Sequence, residues 1–311
     1  MAEPLLSGLL NIYKPVGWSS RDVVNRVERL VKPAKAGHAG TLDPLAEGVL
    51  VVAVGAATRL ISGAQERDKE YHAVFQLGSR SDTDDSTGEI TTVEVSQPPD
   101  RASIVALLPQ FTGDIWQVPP QFSAVHVDGQ RAYALARQGQ AVEITSRQVQ
   151  VSRLEIRDYV WPRLELLIEC GSGTYVRSIG RDLGELLGCG AMMTALLRCR
   201  IGPFLSTAAV AIDDLQRDNI AIHLQPPIRA VEHWPQHVCS ALELWDIAHG
   251  RMIVLNHLAA GSRVALLTPT GELAALGEMR TLGRARPTQV FVDRYQLTNP
   301  TAPVDQPGSF R

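Results

Sequence analysis

The sequence predicts an α+β protein, with a large domain of strands and flanking helices followed by a small β-rich module. Three observations carry this. "KEYHAVFQLG" (69–78) alternates apolar and polar residues like a half-buried strand, and the turn "RSDTDDSTGEI" joins it to a second strand, "TTVEVS". "SSRDVVNRVERLV" and "TYVRSIGRDLGELLG" repeat apolar residues at helical spacing. "QPPIRAVEHWP" (225–235) then punctuates the chain, and short strand-like runs follow it.

Taken in order, "LLNIYKP" (9–15) is a short strand ending at Pro15. The helix of 19–31 has Ser19 or Ser20 as its N-cap, Val23, Val24, Val27 and Leu30 on one stripe, and Pro33 beyond its end. A loop, Gly37–Pro44, leads into an unbroken apolar strand at Val49–Val54. After the strand pair at 69–96, "DRASIVALLPQF" (100–111) is a short helix capped at Asp100 or Ser103. A long polar stretch with aromatics covers 116–139. "RQVQVSRLEIRDYV" and "RLELLIECG" are strands, and the helix of 174–188 puts Ile179, Leu183 and Leu186 on one face. "AMMTALLRCRIGPF" is a strand or a mixed element. The boundary at 225–235 divides the chain into 1–235, a module at 236–299 and a polar tail at 300–311 expected to be disordered.

The 311 residues are 45% apolar and 20% charged, ordinary values for a folded soluble domain. No apolar stretch approaches the length of a membrane span, and no basic region precedes the short apolar run near the start, so neither a span nor a signal peptide is expected. Cys170, Cys189, Cys199 and Cys239 form no Cys-x-x-Cys pair and read as reduced thiols, which points to the cytoplasm. The eight histidines show no zinc spacing. The net charge of −3 argues against a nucleic-acid partner when taken alone, but the distribution is uneven: 66–100 is acidic, while arginines gather at 177–200 and 280–294.

Asp82, Asp84 and Asp85 fail as a calcium loop, because the sixth position is Thr87 where glycine is needed. Gly37 and Gly40 are not followed by the Lys-Ser/Thr of a phosphate loop. Asp43 is pushed to an extended backbone by Pro44 and stands before a strand that would anchor it on the core. Two readings of Asp43 stay open on these grounds: a catalytic nucleophile or base, or a turn aspartate bonding its own loop amides, the commoner use. Arg177 is likewise either a surface arginine or the partner of a buried carboxylate.

"NIYKPVGWSS", "AGHAGTLDPLAEGVLVVAVGAATRL", "DKEYHAVFQLGSRSDTDDSTGEI", "VPPQFSAVHVDGQRAYALARQG" and "CGSGTYVRSIGRDLGELLGCGA" occur in that order. Together they make roughly 8–215 resemble the bacterial tRNA pseudouridine synthase B family, whose members convert uridine 55 in the T loop of tRNA to pseudouridine. The resemblance implies the pseudouridine synthase fold, with a mixed, largely antiparallel central sheet and flanking helices, plus a small PUA-like RNA-binding module at the C-terminus. By motif, Asp43 is the catalytic carboxylate, Tyr71 the active-site tyrosine and Arg177 the arginine paired with the acid. Tyr175 lines the same pocket, and His38 fills the space vacated by the target base. Lys14 and Pro15 brace the catalytic loop, Leu197 is the pocket leucine, and Asp82 lies near the site.

The resemblance also implies tRNA, through its T arm, as partner, with no obligatory protein partner, membrane, metal or cofactor. The isomerisation breaks an N-glycosidic bond and rejoins the uracil through carbon, without redox change or phosphate transfer. One carboxylate suffices, by attack on the sugar or by acting as base while a glycal forms. A flipped base would stack on Tyr71. The tRNA would ride a local basic face of Lys14, Lys35, Arg131, Arg137, Arg177 and Arg181, extended by Arg280, Arg284 and Arg286. Two alternatives are a T-arm-binding RNA chaperone with incidental catalysis, and the guide-RNA-dependent branch of the same enzymes, which carries terminal extensions and basic tails. The segment "VCSALELWDIAHGRMIVLNHLAAG" (238–261) diverges from the family pattern.

Overall fold

The apolar run at 49–54 belongs to a strand that feeds two cores at once. Val49, Val51 and Ala53 point into one cluster, and Leu50, Val52 and Val54 into another on the opposite face. A strand covered on both sides needs no polar alternation. The computed structural model describes residues 6–123, 126–127, 130–131, 144–280, 283–295 and 297. The polar tail expected at 300–311 lies outside them.

The strands of the larger part are β1 (Gly8–Lys14), β2 (Ala36–His38), β3 (Ala46–Val54), β4 (Lys69–Leu77), β5 (Ser79–Ser81), β6 (Ile90–Thr92), β7 (Gly113–Gln117), β8 (His126–Val127), β9 (Gln130–Arg131), β10 (Arg147–Val160), β11 (Arg163–Cys170), β12 (Ala191–Ile201), β13 (Phe204–Leu205) and β14 (Val210–Ala211). Its helices are α1 (Ser20–Val31), α2 (Ile61–Gln65), α3 (Arg101–Leu107) and α4 (Val176–Leu186). A ten-stranded sheet runs in the order β14-β1-β3-β12-β4-β11-β10-β7, with β13 beside β12 and β2 beside β3. Among the described residues β1–β14 and β12–β3 pair in parallel, and the other neighbours pair antiparallel. The sheet is therefore mixed and largely antiparallel. The segment 191–204, ambiguous in sequence, supplies its central strand β12.

Helix α1 buries Val23, Val24, Val27 and Val31 against β1 and β3. Helix α4 lays Ile179 and Leu183 on the other half of the sheet with Phe75, Leu166 and Met193. The fit is close: a Cβ at Gly180 would stand 2.1 Å from the Phe75 ring, so only glycine lets this helix settle there. At Gly48, where φ is +99°, a Cβ would meet the Arg198 carbonyl at 2.4 Å, so glycine is needed where β3 and β12 run side by side.

A second sheet follows: β15 (Gln236–Val238), β16 (Ile253–Val254), β17 (Arg263–Leu267), β18 (Leu273–Met279) and β19 (Arg284–Val290), in the order β15-β17-β18-β19-β16. Helix α5 (Ala241–Ala248) starts at a capping box of Ser240 and Glu243. Ala265, Leu267, Leu273 and Leu276 of this sheet share a core with Val49, Val51 and Ala53. The Arg59 guanidinium caps the contact, lying 4.3 Å over the Phe291 ring and donating to the Val290 carbonyl at 3.0 Å.

Candidate active site

Asp43 lies in the turn between β2 and β3, and backbone contacts fix that turn from three sides. The Gly17 N–H donates to the Pro44 carbonyl at 2.8 Å. The Ser20 hydroxyl accepts from the Leu42 N–H at 2.8 Å and donates to its carbonyl at 3.0 Å. Ser20 is free for this because Ser19 caps α1, in a box with Asp22. From the third side Arg198, 1% exposed, donates to the carbonyls of Gly40 (3.1 Å), Thr41 (3.3 Å) and Val49 (2.7 Å). Nothing in the alternation of β12 marked this arginine as inward-pointing.

Lys14 has no exposed surface, and its ammonium donates to the carbonyls of Pro15 (2.9 Å) and Trp18 (2.6 Å). It thus holds the 15–18 loop that in turn holds the Asp43 loop. Burial, and secondarily the Arg198 charge, lower its pKa to about 8 from the ordinary 10.5. Between those values the unfolded chain carries a proton that the folded chain lacks, so this group's contribution to stability rises with pH from about 8 to 10.5 and is least below 8. The difference in unfolding free energy between wild type and Lys14→Met, measured in urea at pH of about 7.5 and 9.5, should move in favour of wild type at the higher pH. An unchanged difference would show that Lys14 stays charged throughout.

Arg177, 5% exposed in the first turn of α4, faces the Asp43 carboxylate. One guanidinium nitrogen stands 3.0 Å from Asp43 Oδ2, and the other stands 3.3 Å from Asp85 Oδ2. The same two nitrogens donate to the carbonyls of Phe122 (3.1 Å) and Thr83 (2.7 Å). The fork is therefore divided between two carboxylates rather than closed on one. Asp85 is 5% exposed in its side chain and Asp43 39%, so Asp85 is the buried anchor and Asp43 the acid open to the cleft. Sequence reasoning missed Asp85. Its carboxylate also takes the Thr87 N–H (2.9 Å) and the hydroxyls of Thr83 (2.8 Å) and Thr87 (2.5 Å).

The acidic run splits three ways. Asp84 pairs with Arg181 at 2.9 Å, while the exposed Asp82 turns to the Glu89 N–H at 2.8 Å and does not line the cleft. Among the described residues no group of three metal-ligating side chains forms.

The cleft beside Asp43 holds about 500 Å³. Tyr71 and Lys69 reach it from β4, Leu196 and Arg198 from β12, and Tyr175 from the turn before α4. The Tyr71 phenol is pushed up in pKa by burial, against the pull of the neighbouring Arg198 charge. The Gln117 side chain clamps Tyr175 by its backbone, accepting from its N–H at 2.7 Å and donating to its carbonyl at 3.0 Å, and Arg147 lies 4.7 Å over its ring.

The leucine that lines the cleft is Leu196, not Leu197. A register irregularity between Met193 and Ala195 resets the alternation of β12, and Leu197 packs toward Gly48 instead. His38 sits opposite Val52 on β2, outside the cleft lining. Burial, then Arg198 and Arg21, lower its pKa, and its Nδ1 has no hydrogen-bond partner.

The expected basic face also changes. Lys14 and Arg177 are buried, because the fold uses both as internal braces, and Arg181 is tied to Asp84 and Asp182. Arg280, also exposed, pairs with Glu278 at 3.0 Å, while Lys35, Arg284 and Arg286 are exposed and, among the described residues, have no carboxylate partner. Arg137 and the Arg131 side chain lie outside the described residues.

Two family models cover residues 28–232. The N-terminal domain of TruB family pseudouridylate synthase matches 28–176, and the tRNA pseudouridylate synthase B C-terminal domain matches 177–232. The tRNA pseudouridine synthase B of Thermobifida fusca is 40% identical over 92% of this chain and 99% of that protein. That of Syntrophomonas wolfei is 39% identical over 92% and 99%. Among solved structures, a chain of a Cbf5-Nop10-Gar1 complex superposes with a TM-score of 0.75 at 26% identity, over 94% of this chain and 87% of that one. Likeness of this extent in sequence, carried on a shared fold, means that the chain belongs to the TruB family of pseudouridylate synthases.

Proposed function

We propose that the chain converts uridine 55 in the T loop of tRNA to pseudouridine, with Asp43 as the essential carboxylate. The observation that carries this reading is the Asp43–Arg177–Asp85 arrangement. A carboxylate open to a cleft is held in place by a guanidinium that a second, buried carboxylate anchors.

The reaction conserves every atom of the base. The bond from N1 to C1′ breaks, a bond from C5 to C1′ forms, C5 loses a proton and N1 gains one. Asp43 serves either as the nucleophile at C1′ or as the base that takes the C2′ proton to give a glycal, and both routes need the same placement. No electron is gained or lost, so this chemistry asks for no redox cofactor. The uridine leaves its stacked loop to enter the cleft, at a cost of a few kcal/mol. Tyr71 and Tyr175 give aromatic surface for it, and Leu196 gives an apolar wall. Arg284 and Arg286, exposed on β19, suit the second sheet to further contact with RNA backbone. The setting is the cytoplasm, and no protein partner is needed. The family models and the curated relatives support this stand-alone reading over the guide-RNA-dependent one; the Cbf5 chain shares the fold at lower identity.

Release of tritium from uridine labelled at C5 tests the reading, with full tRNA transcripts and an isolated T-arm hairpin as substrates. The chain should release tritium from both, and from neither once the target uridine is replaced by cytidine. Failure on the hairpin would contradict recognition through the T arm.

A further inference from the structure

With Lys14, Arg177 and Arg181 committed to internal contacts, the RNA backbone needs another seat near the reacting uridine. A second depression, of about 400 Å³, lies on the solvent side of α1 and is lined by Gly17, Trp18, Asp22, Asn25, Arg26 and Arg29. Its edge touches the catalytic loop: Gly17 donates to the carbonyl of Pro44, the residue next to Asp43.

Arg26 and Arg29 are three residues apart on the helix and Asn25 and Arg29 four, so these side chains share a face. Among the described residues neither arginine has a carboxylate partner, whereas Arg21 on the same helix pairs with Glu28. The groove also holds one carboxylate, Asp22, which accepts from the N–H (2.9 Å) and hydroxyl (2.6 Å) of Ser19 in the capping box, and the two guanidinia outweigh its charge. What remains is two unpaired guanidinia, an amide and a half-buried indole, the set that binds phosphodiester oxygens and offers a surface to a neighbouring base. Exposed Lys32 and Lys35 continue the positive charge beyond the helix.

We propose that this groove is an RNA-backbone subsite, in which Arg26 and Arg29 hold phosphates of the substrate strand as it leaves the catalytic cleft over Gly17 and Pro44. The inference rests on tRNA as substrate. It differs from the reading above in concerning where the strand lies, not the reaction.

The test compares Arg26→Gln/Arg29→Gln with a control of equal charge change, Arg101→Gln/Arg157→Gln. The control pair lies beside β10, at the opposite end of the sheet from α1. Dissociation constants are measured for an unmodified tRNA transcript from low to moderate salt, with melting temperatures as a folding control. The groove variant should bind about tenfold more weakly at low salt, and its log–log salt slope should be shallower by about one to two. The control should match wild type. Wild-type affinity and slope in the groove variant, or equal losses in both pairs, would overturn the proposal. A lowered melting temperature with unchanged affinity would also do so, since it would make these arginines partners of the helix end alone. Wild type that binds tRNA but forms no pseudouridine would sink the proposed function and leave the groove standing.

Discussion

Asp43→Asn is expected to lose at least about three powers of ten in turnover, the scale at which removal of a covalent or base catalyst is felt, while still binding tRNA. The substitution keeps the size of the side chain and removes its charge and basicity. The loop should survive it, because its contacts to Gly17, Ser20 and Arg198 run through backbone atoms and not through the carboxylate. A fall in pseudouridine formation with unchanged tRNA affinity and melting temperature is the expected pattern. Retention of more than about a hundredth of the wild-type rate would show that another group does the chemistry. Loss of binding together with turnover would show that Asp43 is a structural turn residue.

Arg177→Met should lower the rate at least about a hundredfold and also destabilise the fold, because it strands Asp85. Removing one partner of a buried ion pair leaves an uncompensated charge, at a cost of about 3–5 kcal/mol. Arg177→Lys is the more telling variant. One ammonium cannot reproduce a fork that reaches Asp43 on one side and Asp85 on the other while also bonding the Thr83 and Phe122 carbonyls. It should regain folding better than rate, remaining at least about tenfold below wild type in single-turnover measurements. A lysine variant with the full wild-type rate would mean that the divided fork has no part in placing Asp43.

The sequence was legible where one residue type has one physical use. Helical spacing marked α1 and α4, whereas the Leu-Asp-Pro turn left two readings of Asp43 open, and only the family resemblance assigned it the catalytic role. Of the residues that organise the site from inside, Lys14 was reached only through the family resemblance, and Arg198 and Asp85 were not reached. Lys14 and Arg198 sit in strands, where a long cation usually faces water, and no periodicity shows that their heads are spent on loop carbonyls. Asp85 was hidden in an acidic run whose three members part company only once the turn folds. Its clue was local, since Thr83 and Thr87 flank it two residues away on each side and both donate to it. Leu196 was displaced by one because an irregularity in β12 shifts the alternation, and such irregularities leave little mark in composition. Helix α5 carried a readable signal, Ser240 followed by Glu243, inside a segment that diverges from the family pattern. Helix α1 was read for its ends and its apolar stripe, which passed over the groove on its other face.

The proposed isomerisation of one uridine by the Asp43 carboxylate is open to a direct measurement. Purified chain is incubated with unmodified tRNA transcript, without added cofactor, and pseudouridine is mapped nucleotide by nucleotide beside an Asp43→Asn control. A single pseudouridine is expected, at position 55 in the T loop, formed by wild type and absent with the variant. Pseudouridine at another position, or formed equally by the variant, would contradict it.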